Sequence, residues 1–315
     1  MSTFLEAQFG FAAESTFGTR VAPSRFLPFL DESIELALDY YESKSYRAGR
    51  KTKALRRPGA QRVVGDINME LAPQGIALWL KHCLGAVATA GTGPYTHTLT
   101  PGGLVGLSMS AQIVKTDQTG TQRPFDYSGL KVQSWEIDAK VGEIATLKTT
   151  VYGIKEDTAQ TVAVASYPTN LLPFTYVEGS LTIGGTATPV KSLTLKGDNG
   201  LLVDRHRITA TTPAQSLEPQ EANIRDYSGS LEADFTSLTA YQRYINQTQA
   251  TLVITLAQAS GHQIVITSTV EFSGNTPNAA GIGSEIPQLL PFVGVNATND
   301  ANVMTIAVTN ADSAP

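Results

Sequence analysis

The chain has 315 residues, of which 42% are hydrophobic and 16% are charged. This composition is too apolar for a disordered polymer, and the length is sufficient for one large domain or two ordinary ones. No stretch approaches the roughly 18 consecutive apolar residues of a membrane helix. The segment 1–19 contains no lysine or arginine, so we expect no signal peptide. The single cysteine, Cys83, excludes an intramolecular disulfide framework and a cysteine-rich metal site.

Charge is distributed unevenly along the chain. The segment 41–62 contains 8 basic residues and 1 acid, a net charge of +7, whereas the rest of the chain contains 15 basic and 27 acidic residues, a net charge of −12. A basic segment on an acidic body indicates either contact with a polyanion or self-association between unlike patches. The segment lacks the interleaved aromatic residues of single-strand binders. We therefore favour contact between subunits.

Alternation of apolar and polar residues with a period of two dominates the sequence and predicts a mainly β protein. One helix is indicated in the first half, at 74–85, because Pro73 lies near its start, apolar residues follow at helical spacing, and Gly85 closes it. Four strands are predicted around that helix, at 33–40, 63–71, 131–141 and 144–152.

The same order of elements recurs in the second half, which predicts an internal duplication. Gly65–Leu71 aligns with Gly229–Phe235, and each segment precedes a helix-like stretch, the second at 238–246. The hairpin 131–152 has a fainter counterpart at 289–309. The predicted organisation is an N-terminal arm at 1–30, a first β domain at 31–155, a linker at 156–180 and a second, duplicated β domain at 181–315.

The sequence carries no signature of catalysis or metal binding. The sequence contains no H-E-x-x-H, P-loop, nucleophile-elbow or dinucleotide fingerprint. His82 and Cys83 are consecutive on the predicted helix, so they do not face each other and cannot bind one metal ion together. We predict that the protein is not an enzyme and requires neither a cofactor nor a metal ion.

Acidic residues occupy the polar positions of several predicted strands. A solvated sheet face normally mixes both signs of charge, whereas here acids outnumber the basic residues Lys140 and Lys148. Such a face offers no favourable phosphate contacts, so it would let DNA pass without binding it. The candidate residues for this lining are Glu35, Asp39, Asp66, Glu70, Glu136, Asp138, Glu232 and Asp234.

The basic segment is the candidate contact between subunits. A loop of this length without secondary structure is unusual in a compact domain and is usually functional. Its candidate contact residues are Lys44, Arg47, Arg50, Lys51, Lys53, Arg56 and Arg57.

A set of short segments, concentrated in the first half of the chain, forms a pattern: Glu14–Thr19, Phe26–Leu30, Glu32–Ile34, Tyr46–Arg50, Gly65–Ile67, Glu70–Leu71, Leu80–Gly85, Tyr95–Thr98, Pro101–Gly102, Arg123–Phe125 and Gly129. Together these segments resemble the major tail tube proteins of bacteriophages with long, non-contractile, siphovirus-type tails. The resemblance is dense over residues 1–155 and looser beyond them.

The resemblance implies tandem tail-tube-type β-sandwich domains, each with a short flanking helix, whose inner sheets join between subunits into a closed barrel. Rings of such subunits stack into a virion tail tube that carries the genome to the host, with an acidic inner lining and a long loop that reaches the adjacent ring. The implied partners are further copies of the chain, the tape measure protein during assembly, the tail terminator and tail-tip proteins, and genomic DNA in transit. Assembly is expected in the host cytoplasm, with no membrane contact.

Strand counting gives an expected ring size. Four inner strands in each half give eight per chain, so three chains supply 24 strands, or a backbone diameter of about 37 Å at roughly 4.8 Å between strands. A duplex fits inside such a ring. We expect a trimer with pseudo-sixfold symmetry, and a hexamer with one inner sheet per chain would give the same count.

Two other classes of protein compete with this interpretation. One is the ring-forming tube of a contractile injection system, whose shorter, single-domain subunits fit a duplicated chain poorly. The other is a receptor- or carbohydrate-binding β-sandwich of a tail module. That role requires exposed aromatic residues on loops, whereas Trp79 and Trp135 both fall on apolar positions.

Overall fold

The computed structural model describes residues 6–53, 55–169, 171–208, 214–274, 276–277, 286–296 and 298–315. The described chain is mainly β, as predicted. Its two α-helices are α1 (Ala77–Leu84) and α2 (Thr239–Ile245), at the predicted places. No helix of the described residues is long and apolar enough to cross a membrane.

Strands such as β10, β19 and β20 alternate buried with less buried side chains, whereas β1 and β8 are buried along almost their whole length. Those of the first half are β1 (Gln8–Ala13), β2 (Arg25–Leu27), β3 (Asp31–Glu32), β4 (Glu35–Glu42), β5 (Arg56–Glu70), β6 (Gly85–Ala90), β7 (Tyr95–Pro101), β8 (Met109–Thr116), β9 (Gln122–Lys140), β10 (Thr146–Gly153) and β11 (Lys155–Asp157). Those of the second half are β12 (Gly179–Ile183), β13 (Thr186–Ala187), β14 (Val190–Asp198), β15 (Leu201–Leu202), β16 (Ala214–Gln215), β17 (Gln220–Glu221), β18 (Asp226–Asp234), β19 (Ala250–Ala257), β20 (Gln263–Phe272), β21 (Pro287–Gly294) and β22 (Met304–Asn310).

One antiparallel sheet runs through both halves in the order β4, β5, β10, β9, β14, β18, β21. We call it the inner sheet. The halves join where β9 pairs with β14 over seven residue pairs, from Ser192 opposite Lys140 to Asp198 opposite Ser134. Of the eight inner strands that the sequence predicted, seven run through this sheet. The eighth position contains only the end of β20, which pairs with β21 through Val270–Phe272.

The two halves repeat one pattern of strand pairing. In the first half β1 pairs with β2 and β8, β8 with β9, β9 with β10 and β11, and β10 with β5. In the second half β12 pairs with β13 and β19, β19 with β20, β20 with β21 and β22, and β21 with β18. The hairpin of β6 and β7 has no counterpart among the described residues of the second half, and β7 instead pairs with β22.

This pairing corrects the counterpart of the hairpin 131–152. The sequence placed it at 289–309, but β21 pairs with β18 and β22 pairs with β20 and β7, so these two strands do not form a hairpin. The pairing pattern makes β20 and β21 the counterparts of β9 and β10. Alternation identifies a strand but not its partner, and the connection 273–286, much of which lies outside the described residues, concealed the match.

Segment 1–30 contributes strands to the first half. Within it, β1 lies between β2 and β8, and Phe9 and Phe11 are completely buried. Both rings contact the indole of Trp79 on α1 edge-on, with centroids 5.4 and 5.0 Å apart. The Trp79 Nε1–H donates a 3.0 Å hydrogen bond to Thr149 Oγ1 on β10. This aromatic cluster fixes α1 against the buried face of the inner sheet.

Candidate assembly surfaces

The eight acids that the sequence proposed as a lining lie on one face of the inner sheet. Cross-strand pairing places Glu70 opposite Thr146 and Thr146 opposite Asp138. Asp39 joins this face through a 2.9 Å ion pair with Arg62. The opposite face of the sheet is the apolar core. We refer to the solvent-facing side of the inner sheet as the polar face.

Lysines on the polar face are each paired with acids. Lys148 Nζ lies 2.8 Å from Asp66 Oδ2, and Lys196 Nζ lies 3.1 Å from Glu136 Oε2. Partial burial alone would raise the pKa of Asp66, but hydrogen bonds from Lys148 and Thr150 outweigh it and hold this pKa below its usual value. The same bond, with the charge of Asp66, raises the pKa of Lys148. Lys148 is therefore charged and held by a carboxylate at neutral pH.

Hydroxyl groups hold further acids in place across the strands. Thr194 donates a 2.6 Å hydrogen bond to Asp138, and Thr150 donates a 2.7 Å hydrogen bond to Asp66. A carboxylate fixed by a neighbouring hydroxyl is less able to rearrange around a passing ligand. The polar face is thus an ordered array of compensated charges with an excess of acids.

Sequence reasoning missed several members of this face. Asp198 and Asp226 lie directly opposite each other, and Lys191 forms a 2.6 Å ion pair with Asp234. Lys196, which the sequence analysis did not include in this face, lies within β14. Its alternation with Leu193 and Leu195 was the signal that could have placed it on the strand.

The basic segment 41–62 lies in a hairpin formed by β4 and β5 rather than in one long unpaired loop. We call residues 41–57 the basic hairpin. β4 and β5 pair as far as Glu42 opposite Arg56, so the connection is confined to 43–55. All described residues of this connection are exposed. Glu42 forms ion pairs with Lys53 and Arg56, and the Arg56 guanidinium lies 3.8 Å from the centroid of the Tyr40 ring. These contacts stiffen the base of the hairpin.

The corresponding connection of the second half, 199–225, folds against the first half in its described part. Arg225 donates a 2.9 Å hydrogen bond to the Leu84 carbonyl, at the end of α1. The buried Lys131 ammonium donates to the carbonyls of Leu104 and Pro219 and forms an ion pair with Glu218. Residues 209–213 lie outside the described part of the chain. The two halves therefore present different surfaces at this end of the molecule.

The inner sheet has an edge that no described strand covers. β4 pairs only with β5. Because the Ser33 N–H donates to the Asp66 carbonyl, Ser33 and every second residue after it direct their backbone groups toward β5. The residues between them direct their backbone N–H and C=O groups away from β5. Leu36 and Leu38 occupy such outward positions. An uncovered edge with free N–H and C=O groups is a template for another strand.

Histidines and acids do not converge into a metal-binding cluster anywhere in the described residues. His97 is completely buried, and its Nδ1 lies 2.8 Å from Thr89 Oγ1. Its Nε2 lies 3.2 Å from Asn310 Oδ1 and 3.0 Å from the Asp312 carbonyl. This histidine connects β7 to the C-terminal segment. Trp79 and Trp135 are at most 2% exposed, so neither indole offers a stacking platform for a sugar.

These features define a β-rich protein with a polar sheet face, an uncovered sheet edge and a protruding basic hairpin. The family model of phage tail tube proteins matches residues 5–294. The chain belongs to the phage tail tube protein family, and it is accordingly a structural component of a bacteriophage virion tail. Comparison with curated proteins gives no match.

Proposed function

We propose that the chain assembles into closed rings, that the rings stack into the tail tube, and that the polar face lines a conduit for the genome. The observation that carries this proposal is the inner sheet itself. It places acids from both halves on one face and ends in the uncovered edge of β4. The family supports self-association into a tube in general terms.

The junction of β9 with β14 is a template for the junction between subunits. Within one chain, the inner sheet of one half continues into the inner sheet of the other across that junction. In the proposed ring, β4 of one subunit pairs with the far end of the inner sheet of its neighbour. Ring closure covers edges that would otherwise drive uncontrolled aggregation.

The repeated pairing pattern supports duplicated domains and a trimeric ring. If the end of β20 counts as an eighth strand, three chains give about 24 strands and a backbone diameter of about 37 Å at 4.8 Å between strands. We propose the trimer with pseudo-sixfold symmetry, the first domain including β1 and β2 from segment 1–30. A hexamer is the other outcome of the experiment below.

The lining is proposed to pass DNA without retaining it. Excess acids repel phosphates, and the carboxylate partners of Lys148 and Lys196 occupy the ammonium groups that could otherwise bind them. The lining residues are those proposed from the sequence, Glu35, Asp39, Asp66, Glu70, Glu136, Asp138, Glu232 and Asp234.

The basic hairpin is proposed to contact the adjacent ring, and the resemblance supplies the remaining partners. These are the tape measure protein during assembly in the host cytoplasm, the tail terminator and tail-tip proteins at the two ends, and genomic DNA in transit. The hairpin residues concerned are Lys44, Arg47, Arg50, Lys51, Lys53, Arg56 and Arg57.

Negative-stain microscopy of the purified protein across protein concentration and salt tests the proposal. Hollow tubes or stacked rings are expected, and the number of subunits per ring, from class averages and ring mass, distinguishes the trimer from the hexamer. Dispersed monomers under every condition, including in the presence of a tail-tip complex, would contradict it and favour a receptor-binding module.

A further inference from the structure

An apolar groove opens at one end of the β-sandwich. It has a volume of about 230 Å³ and lies between the inner strands β9 and β14 and the outer strands β12 and β19. Its walls include Val141, Tyr176, Leu181, Val190 and Leu256. Val141 is 54% exposed and Tyr176 is 47% exposed. Side chains of this kind at the mouth of a sandwich remain in contact with water unless a partner covers them.

The groove and the basic hairpin lie at opposite ends of the inner sheet. Strand pairing places Lys140, beside the groove, at the same end as Thr146 and Glu70. Arg56, at the base of the hairpin, is 14 residues from Glu70 along β5, which is roughly 45 Å at 3.3 Å per residue. Copies stacked head to tail therefore bring the hairpin of one copy to the groove end of the next.

The hairpin presents apolar side chains that its own chain does not cover. Tyr46 is completely exposed, Tyr41 is 68% exposed and Leu55 is 53% exposed. An isolated two-stranded hairpin is marginally stable in water. Aromatic and aliphatic side chains at the tip of such a hairpin are typical anchors for a pocket on a partner.

Charge also matches between the two ends. The hairpin has seven basic residues and one acid over 41–57, a net charge of +6. Around the groove, two lysines, Lys140 and Lys191, already form ion pairs with Glu143 and Asp234. Five acids lie next to residues that line the groove or are bonded to them or to their neighbours, so acids outnumber lysines there: Asp138, Glu143, Glu178, Glu232 and Asp234.

We propose that the groove is the docking site for the hairpin of a second copy of this chain in the adjacent ring. Tyr46 and Leu55 fill the apolar groove, and the hairpin's basic residues approach the acids around it. This inference rests on the proposed function, because it assumes that rings stack head to tail. It adds the receiving surface and the apolar anchors to the basic contact residues.

Paired substitutions test the proposal. Tyr46→Ser removes the anchor, and Val141→Asp places a charge in the groove. Both residues are exposed in the subunit, so both variants should fold and form rings. Each variant is expected to raise the protein concentration needed for tubes by roughly tenfold or more. Ile224→Ser and Val164→Asp are the matched controls, since these residues are 97% and 91% exposed and do not line the groove, and they should assemble like the unsubstituted protein.

A mixture of the two variants gives a sharper result. A Tyr46→Ser ring retains an intact groove, and a Val141→Asp ring retains an intact hairpin. The hairpin of a Val141→Asp ring can therefore dock in the groove of a Tyr46→Ser ring, and no other combination of rings pairs an intact hairpin with an intact groove. Stacks of two rings and no longer stacks are expected by microscopy. Normal tubes from either variant would overturn the docking site while leaving the tube function in place, whereas failure of the unsubstituted protein to form rings would overturn the proposed function itself.

Cross-linking tests the contact directly. Both double variants lack the Tyr46 ring, so tubes are formed at a protein concentration above the raised threshold. Oxidation should then give a ladder of disulfide-linked multimers for Tyr46→Cys with Val141→Cys, and no ladder for Tyr46→Cys with Val164→Cys. The native Cys83 is completely buried and its pKa is raised by burial, so it does not compete. Equal cross-linking of both pairs, or of neither in intact tubes, would contradict the docking site.

Discussion

The indole of Trp135 covers the backbone of Gly197 at the junction of the two halves. These residues are directly opposite each other, Trp135 on β9 and Gly197 on β14. A β-carbon at Gly197 would overlap the atoms of the indole ring. Trp135 is 2% exposed and its ring also packs beside that of Tyr227, 6.3 Å away between centroids. The glycine is therefore required by the close approach of this ring to the strand.

We expect Gly197→Ala to lower the free energy of unfolding by about 2–3 kcal/mol, because the indole must leave its packed position. Urea denaturation of the subunit measures this loss. Gly103→Ala is the control, since a β-carbon there meets no atom within 4 Å. Adding Trp135→Leu should recover part of the loss caused by the alanine. If Gly197→Ala lowers the free energy of unfolding equally in the native protein and in the Trp135→Leu variant, contact with the indole is not the cause of the loss.

The polar face could be predicted from the sequence because it depends only on local alternation. In a strand, side chains of one parity share one side, so Asp66, Glu136 and Glu232 were assigned to one type of face before any pairing was known. The repeated segments around Gly65 and Gly229 lie in β5 and β18, which have equivalent places in the pairing pattern of the two halves. Local patterns were sufficient for both.

The pairing of the strands and the positions of the long connections could not be predicted from local alternation. They depend on contacts between distant residues, such as Arg225 with the Leu84 carbonyl and Lys131 with Glu218. No sequence spacing encodes these contacts. The same limitation concealed the ion pair of Lys196 with Glu136, because it requires β14 to lie beside β9.

Reversal of charge in the basic hairpin is expected to block stacking without unfolding the subunit. Arg56→Glu combined with Arg57→Glu changes the net charge of the hairpin by −4, at two exposed positions. The substituted hairpin would then face an acidic end of the next ring and be repelled at close range. Electron microscopy should show single rings, and circular dichroism should show an unchanged β spectrum. Tubes of normal length from this double variant would remove these residues from the stacking contact.

Release of the lysines of the polar face is expected to make the tube retain DNA. Asp66→Asn with Glu136→Gln removes the carboxylate partners of Lys148 and Lys196. Two ammonium groups per subunit then become available to phosphates, and binding that depends strongly on salt should follow. Co-sedimentation of a short duplex with preformed tubes measures this. The control is Asp198→Asn with Asp226→Asn, which removes two carboxylates from the polar face without removing the partner of either lysine. If the duplex stays in the supernatant at low salt, these ion pairs are not what prevents DNA from binding to the polar face.

A buried histidine makes the subunit sensitive to mild acid. His82 on α1 is 2% exposed, and neither ring nitrogen has a hydrogen-bond partner in the described part of the structure. Burial lowers its pKa to about 3, and the charges of Lys81 and Lys131 add to this effect. In the unfolded chain the pKa of histidine is about 6.5. Between these two values the unfolded chain binds a proton that the folded chain does not, so stability falls as the pH decreases through this range.

We expect His82→Leu to remove this part of the pH dependence. The native subunit should lose about 2–3 kcal/mol of unfolding free energy between pH 7 and pH 4.5 through this one group, because two pKa units correspond to that amount. Urea denaturation at pH 4.5, 5.5 and 7 should therefore show a smaller loss for His82→Leu than for the native subunit. His262→Gln, at a partly exposed histidine, is the control for loss of a histidine. Identical slopes for all three proteins would mean that His82 is protonated within the fold and that the helix accommodates its charge.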